Sequence, residues 1–206
     1  MQDDLPEGIW PPHEAFYIEG MLFCTISALR AAEDVHAALE RSAEHAQSSS
    51  VWQESAIIIL NGVQTLALQA AALSRYLWPA RTKKLHLLRA ARLRSGLGIS
   101  EDSCLSNRGL RNALEHFDER LDEFCRTLVA GVILPTYVGS LGEQQEVPTH
   151  FFRAYYTDIG VFEILGERFE MVPILEEVEE LHDRLQAAAC NGSRIPYQRI
   201  EQTPST

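Results

Sequence analysis

The feature that most constrains the fold is a long stretch without any charged residue. Between Glu54 and Arg75 the chain carries only apolar and neutral polar side chains, which predicts a helix that is apolar almost all round. Amide side chains such as those of Asn61 and Gln64 interrupt the apolar run, so a buried central helix is favoured over a membrane span. We therefore expect a protein built around this helix, which should end before Pro79.

Two further helices flank this central one in the sequence. Apolar residues recur at helical spacing from about His13 to Gln47, and a shorter helix is predicted from Lys83 to Ser95, where Gly96 and Gly98 should end it. The first twelve residues are acidic and rich in proline, unlike the basic and apolar start of a secretory signal.

Composition narrows the class of protein. With 206 residues, the chain can bury one substantial core and carry a small extension. Its formal net charge of −11 disfavours non-specific RNA binding, which calls for a basic surface. The four cysteines are scattered and form no C-x-x-C pair, which argues against zinc and against a disulfide framework. We predict a cytoplasmic protein with no metal and no cofactor.

Basic residues concentrate in the segment from Arg75 to Arg94, which contains no acidic residue. One interpretation is a strip that attracts phosphate groups; the other is that these charges complement an acidic helix that follows them. The seven basic residues are Arg75, Arg81, Lys83, Lys84, Arg89, Arg92 and Arg94.

The acidic helix is predicted from Cys104 to Leu128. Its apolar stripe comprises Leu110, Leu114, Phe117, Leu121, Phe124 and Leu128. Arg111 lies to one side of this stripe, whereas Asn112 and His116 lie together on its other flank. Because Arg111 and His116 are about 140° apart around the helix, they can form one site only if a second surface covers the face between them. A homodimer would supply that surface.

The C-terminal part has a different pattern. Residues 129–149 are interrupted by proline and glycine and read as a connection, and residues 152–158 read as an aromatic strand. A β-hairpin with Gly166-Glu167 as its turn should follow, and Pro173 should open a last amphipathic helix that ends near Ala189. The predicted organisation is a disordered lead-in (1–12), a helical bundle (13–130), a hairpin and helix packed on it (150–190), and a flexible tail (191–206).

The run Arg-Asn-x-x-x-His at residues 111–116, followed by an acidic amphipathic continuation, resembles the R-x4-H motif of the HEPN superfamily. The resemblance spans roughly residues 13–128 and is closest to the abortive-infection and toxin branch. It implies a mainly α fold, an up-down four-helix bundle, here extended by the hairpin and terminal helix. It also implies a homodimeric, metal-independent endoribonuclease.

The resemblance assigns a role to each matched residue. His116 would be the acid or base that moves the proton of a 2′-hydroxyl, leaving a 2′,3′-cyclic phosphate on the RNA. Arg111 would hold the phosphate as its negative charge grows, and Asn112 would orient the imidazole or bind a phosphate oxygen.

Two alternatives to catalysis remain open. Arg111 and His116 can equally be ordinary solvent-facing or ion-paired residues, and the acidic groups of Glu115, Asp118 and Glu119 would repel phosphate. The chain would then be a non-catalytic HEPN-like dimeric module that binds a protein partner or a nucleotide. A purely structural protein, whose acidic surface docks on a basic partner such as an antitoxin, is the other alternative.

Overall fold

The computed structural model describes residues 9–127, 130–143 and 147–196. Within them lie six α-helices, four β-strands and three short 3-10 turns (Pro11–His13, Cys104–Ser106 and Leu141–Glu143). The helices are α1 (Glu14–Glu44), α2 (Ser49–Leu77), α3 (Lys84–Leu97), α4 (Arg108–Glu115), α5 (Phe117–Thr127) and α6 (Met171–Cys190). The strands are β1 (Val132–Gly139), β2 (Thr149–Tyr156), β3 (Val161–Ile164) and β4 (Glu167–Glu170).

Helix α2 is the buried centre of the fold, as its uncharged sequence predicts. Ile59, Ala67, Leu73 and Leu77 are fully buried along it. It packs against α1, α3, α4, α6 and two strands of the sheet. Apolar side chains project from most sides of α2, so other helices and strands pack against it on most sides.

The close approach of α1 and α2 depends on Gly62. A Cβ atom at this position would lie 2.8 Å from the carbonyl oxygen of Ala31 and 2.4 Å from Cγ2 of Val35. A glycine inside a helix costs about 1 kcal/mol relative to alanine, and here the missing side chain allows the two backbones to pack closely. The packing accounts for a glycine that helix propensity alone disfavours.

Two helical segments, Pro11–Glu44 and Ser49–Leu77, are long and apolar enough to cross a membrane by length and composition alone. Half of the apolar window in Ser49–Leu77 and a third of that in Pro11–Glu44 are buried inside the protein. The core helices of soluble proteins share these properties, so the two helices are weak indicators of a membrane. The cytoplasmic location stays a prediction.

The four strands form one mixed sheet in the order β1-β2-β3-β4. β1 and β2 are parallel, whereas β2 with β3 and β3 with β4 are antiparallel. Phe162, Ile164 and Phe169 belong to the helical core, and Phe151 and Tyr156 belong to a second, smaller apolar cluster. All four residues of β3 are buried, so the middle of the sheet is enclosed.

The structure corrects the expectation for the C-terminal part in two places. β1 lies within the segment predicted to be a simple connection; its Pro135 is accommodated because β1 is an edge strand. The β-hairpin is confirmed, but its two turn residues are Leu165 and Gly166, with φ angles of 51° and 82°. Positive φ at both positions indicates a type I′ turn instead of the expected turn at Gly166-Glu167.

The mainly helical fold class is confirmed, but an up-down four-helix bundle is not. The described part of the helix predicted from Cys104 to Leu128 consists of a 3-10 turn followed by α4 and α5, with a break at His116. None of the α5 residues is buried. Leu128, the last residue of the predicted stripe, lies outside the described residues.

Residues 191–196, the start of the predicted flexible tail, contact α1 and α3. Ile195 is only 1% exposed, and its backbone N–H donates to Oε2 of Glu14 at 3.0 Å. The guanidinium of Arg92 donates to Oε1 of Glu14 at 2.9 Å and to the carbonyl of Ile195 at 2.7 Å. The buried Glu14 carboxylate thus joins the start of α1, the middle of α3 and the C-terminal segment. The predicted lead-in at residues 1–8 and the tail at 197–206 lie outside the described residues.

Candidate functional site

The Arg-Asn-x-x-x-His motif spans a short helix and the break that follows it. Asn107 caps α4, because its side-chain oxygen accepts the backbone N–H of Gly109 at 2.8 Å. His116 ends α4 with φ −120° and ψ 34°, and its N–H donates to the carbonyl of Asn112 at 3.2 Å. α5 then starts at Phe117, so the helix is interrupted at the histidine.

Arg111 points into the protein. Arg111 is only 6% exposed, and its guanidinium donates to the backbone carbonyl of Trp78 at 3.4 Å. Trp78 is the residue at which α2 ends, where carbonyl groups have no partner in the helix and carry partial negative charge. Arg111 therefore completes the C-terminal end of α2.

A second guanidinium serves the same helix end. Arg94 donates to the carbonyl of Leu77 and lies over the ring of Trp78, 5.5 Å from its centroid. Two positive charges thus meet the negative end of the α2 dipole. This arrangement gives Arg111 a structural role that the spacing of the motif does not reveal.

Asn112 and His116 lie on the outside. Both residues are exposed, and the side chain of His116 retains 57% of its accessible surface. Nδ1 of His116 is 3.7 Å from a carboxylate oxygen of Glu119, a contact at the edge of ion-pair range. The structure therefore keeps the amide and the imidazole at the surface but places Arg111 in the interior.

The basic segment serves mainly the fold. Arg75 pairs with Glu115 of α4 at 2.8 Å, as the charge-complement interpretation expects. Arg92 pairs with Glu14 and Arg94 pairs with Glu101, and neither of these acids belongs to the acidic helix. The remaining exposed charges include Arg81 and Lys83, in the connection between α2 and α3.

Cys104 takes part in a polar network, but it is a poor nucleophile. Its thiol donates to a carboxylate oxygen of Glu177 at 2.8 Å. Burial, followed by the hydrogen bond and the negative charge of Glu177, raises the pKa of the Cys104 thiol to about 12. At neutral pH the reactive thiolate form is therefore scarce.

A cleft of about 990 Å³ between α2 and β1 is a feature that the sequence did not reveal. Trp52, Ile57 and Asn61 line it from α2, Tyr137 lines it from β1, and Arg153 lines it from β2. Among the residues that the structure describes, no acidic one lines it, although the chain carries a net charge of −11. The sequence hints at this cleft only through an arginine among the aromatic residues of β2. That arginine does not indicate a cleft unless β1 is known to lie beside it.

Arg153 is held in place beside this cleft. It donates to the side-chain oxygen of Gln64 at 2.6 Å, and its guanidinium lies 4.6 Å from the centroid of the Phe152 ring. Its Nε is buried, with no hydrogen-bond partner in the described part of the chain. A guanidinium has five N–H donors in a fixed fork that matches phosphate and carboxylate oxygens. The arrangement is suited to binding an anionic group.

Within residues 9–127, 130–143 and 147–196, no three His, Cys, Asp or Glu side chains are grouped closely enough to hold a metal ion. Comparisons of the chain with protein-family models, curated proteins and solved structures found no match. The HEPN assignment therefore stays a prediction that rests on the motif at residues 111–116.

Proposed function

We propose that this protein is a non-catalytic binding module whose cleft between α2 and β1 takes an anionic small molecule such as a nucleotide. The observation that supports the proposal is the presence of Arg153 in a cleft that no acidic residue of the described ranges lines, on a chain with a net charge of −11. An anion is repelled by most of this surface and meets a fixed guanidinium here.

The other lining residues suit the remaining parts of a nucleotide. Trp52 and Tyr137 offer aromatic surface for a base, and Trp52 is 40% exposed, so its ring is accessible. The amide of Asn61 can both donate and accept hydrogen bonds. Apolar walls with a few polar groups are typical of small-molecule sites.

We expect ADP to bind the wild-type protein, and Arg153→Met to weaken this binding by about tenfold or more, because a charged hydrogen bond is lost. Isothermal titration calorimetry measures both affinities, and inorganic phosphate in a parallel titration shows whether the anion alone is enough. Arg81→Met is the matched control, since it removes the same charge from an exposed position outside the cleft. Equal weakening by both substitutions, or no binding of either probe to the wild type, would contradict the proposal.

A metal-independent endoribonuclease is the second candidate, and the exposure of His116 favours it. An imidazole that solvent reaches can take up and release a proton. The burial of Arg111 weighs against this function, because a guanidinium bonded to the Trp78 carbonyl does not face an incoming phosphate. The leading proposal therefore leaves the motif without a catalytic role.

The two candidates differ in their effect on cells. We expect induced expression of the wild type, Asn112→Ala and His116→Ala to leave growth equal and total RNA intact on a denaturing gel. Growth arrest and RNA fragmentation with the wild type, abolished by His116→Ala at equal soluble expression, would replace the binding module with the ribonuclease. Arg111→Ala is unsuitable as the only test, because this residue also supports the end of α2.

A further inference from the structure

The outer face of α1 carries an ordered stripe that nothing in the described chain covers. Its residues are spaced alternately by three and four positions, which is the spacing of a helix-packing seam. Phe16 is 73% exposed, Phe23 is 69% exposed and Ile26 is 39% exposed. The full exposed stripe consists of Phe16, Glu19, Phe23, Ile26, Arg30 and Glu33.

This stripe is distinct from the face that builds the core. The inner face of α1 packs Ile18, Met21 and Ala28 against the rest of the fold, and these residues are almost fully buried. α1 therefore has two seams, and among the described residues only the inner one has a partner. Large aromatic residues at the outer seam resemble those that anchor protein interfaces.

The charges on the outer seam select the orientation of a partner helix. If two copies of α1 cross antiparallel about a twofold axis midway between Phe23 and Ile26, Phe23 of each copy faces Ile26 of the other. In the same register Glu19 of each copy faces Arg30 of the other, because both pairs are centred on the same point of the helix. Four of the six stripe residues thus face a complementary residue of the other copy, and the outermost pair places Phe16 against Glu33.

A parallel pairing lacks this complementarity. It would place Glu19 opposite Glu19 and Arg30 opposite Arg30, and like charges across a seam repel. Within the described residues, neither Glu19 nor Arg30 has an ion-pair partner of its own. Both charges are therefore available to a second copy.

We propose that a second copy of this chain covers the outer face of α1, as an antiparallel homodimer with Phe23 and Ile26 at its centre and two Glu19–Arg30 ion pairs flanking them. This interface differs from a dimer through the Arg111–His116 motif, and it does not rest on the proposed nucleotide cleft. It accounts for the exposure of Phe23 and Ile26 and for the opposite charges of Glu19 and Arg30 on either side of them.

The test is the molar mass of the full chain in solution, measured by sedimentation equilibrium over micromolar concentrations. We expect the wild type to be dimeric and Phe23→Glu to be monomeric, since a buried charge would replace the central ring. Phe117→Glu is the matched control, because Phe117 is an exposed aromatic residue on a different helix, α5. Circular dichroism shows whether each variant keeps the helical content of the wild type.

Charge exchange tests the register. We expect Glu19→Arg and Arg30→Glu each to raise the dimer dissociation constant by about tenfold. The double variant Glu19→Arg/Arg30→Glu should restore the affinity, because both interchain pairs are formed again with reversed sign. Restoration of this kind is expected only if residues 19 and 30 meet across the interface.

Several results would overturn the proposal. A monomeric wild type, a dimer that Phe23→Glu leaves intact, or a double variant no better than the single ones would each do so. Vesicles of phosphatidylcholine and phosphatidylglycerol provide a further check: a monomeric wild type that sediments with them, and loses this binding in Phe23→Glu, would identify the stripe as a membrane-binding face instead.

Discussion

Replacing Glu14 with alanine should lower the free energy of unfolding by about 3 kcal/mol, because it removes both a buried ion pair with Arg92 and the acceptor of the Ile195 N–H. Glu14 is 2% exposed, and it accepts hydrogen bonds from both Arg92 and the backbone of Ile195. Urea denaturation followed by circular dichroism measures the change, at one protein concentration so that self-association does not alter the comparison.

Two variants show whether the effect belongs to the buried pair. Glu14→Leu combined with Arg92→Met should recover much of the lost stability, since apolar side chains of similar volume remove both buried charges. Glu40→Ala is the control on the same helix; Glu40 forms an exposed pair with His36 and should contribute under about 0.5 kcal/mol. If Glu14→Ala is as stable as Glu40→Ala, the carboxylate does not hold the C-terminal segment in the way described.

Arg111→Ala should destabilise the protein by about 2 kcal/mol, the range expected for a hydrogen bond that involves a charged group. The substitution removes a buried guanidinium and leaves the carbonyl of Trp78, at the negative end of α2, without this donor. The same urea titration measures it.

Asn112→Ala is the matched control for Arg111→Ala, because Asn112 is the next residue of the same helix and is exposed. We expect its stability to lie within about 0.5 kcal/mol of the wild type. If the two variants are equally stable, Arg111 does not stabilise the end of α2. Its guanidinium would then again be a candidate for phosphate binding. The experiment thus bears on the ribonuclease candidate without depending on any substrate.

The first three helices could be predicted from local sequence patterns. The bounds of α1 and α3 and the end of α2 lie within a few residues of the predicted ones, because the apolar period and the closing residues are local properties. The hairpin was also predictable from its alternation of apolar and charged residues. Its turn was misplaced by one residue because Leu165 takes a positive φ, which leucine rarely adopts.

The missed strand, β1, gave a misleading local signal. It contains Pro135 and exposes Val132, Ile133 and Leu134, so its sequence shows neither clean alternation nor a continuous buried run. Its position is fixed by parallel pairing with β2, a contact between segments that sequence patterns do not link. The cleft beside α2 could not be predicted without it.

The candidate site shows a similar limit. Helical geometry places Arg111 on one flank of the helix and Asn112 and His116 on the other. Which flank is buried depends on the position of the end of α2 in the folded protein. The stripe through Leu110, Leu114 and Phe117 is equally consistent with one helix or with two helices separated at His116. Burial of a single polar residue is decided by tertiary neighbours that the periodicity does not specify.

The contact between Glu14 and Ile195 also has a consequence for synthesis on the ribosome. The long α1–α2 hairpin can form early, since its helices are adjacent in sequence, and domains generally fold as the chain emerges. The carboxylate at the start of α1 must nevertheless wait for a backbone N–H that is 181 positions away. The first turn of the first helix therefore reaches its final environment only after nearly the whole described chain has been translated, which makes this buried carboxylate one of the last groups to be satisfied during folding.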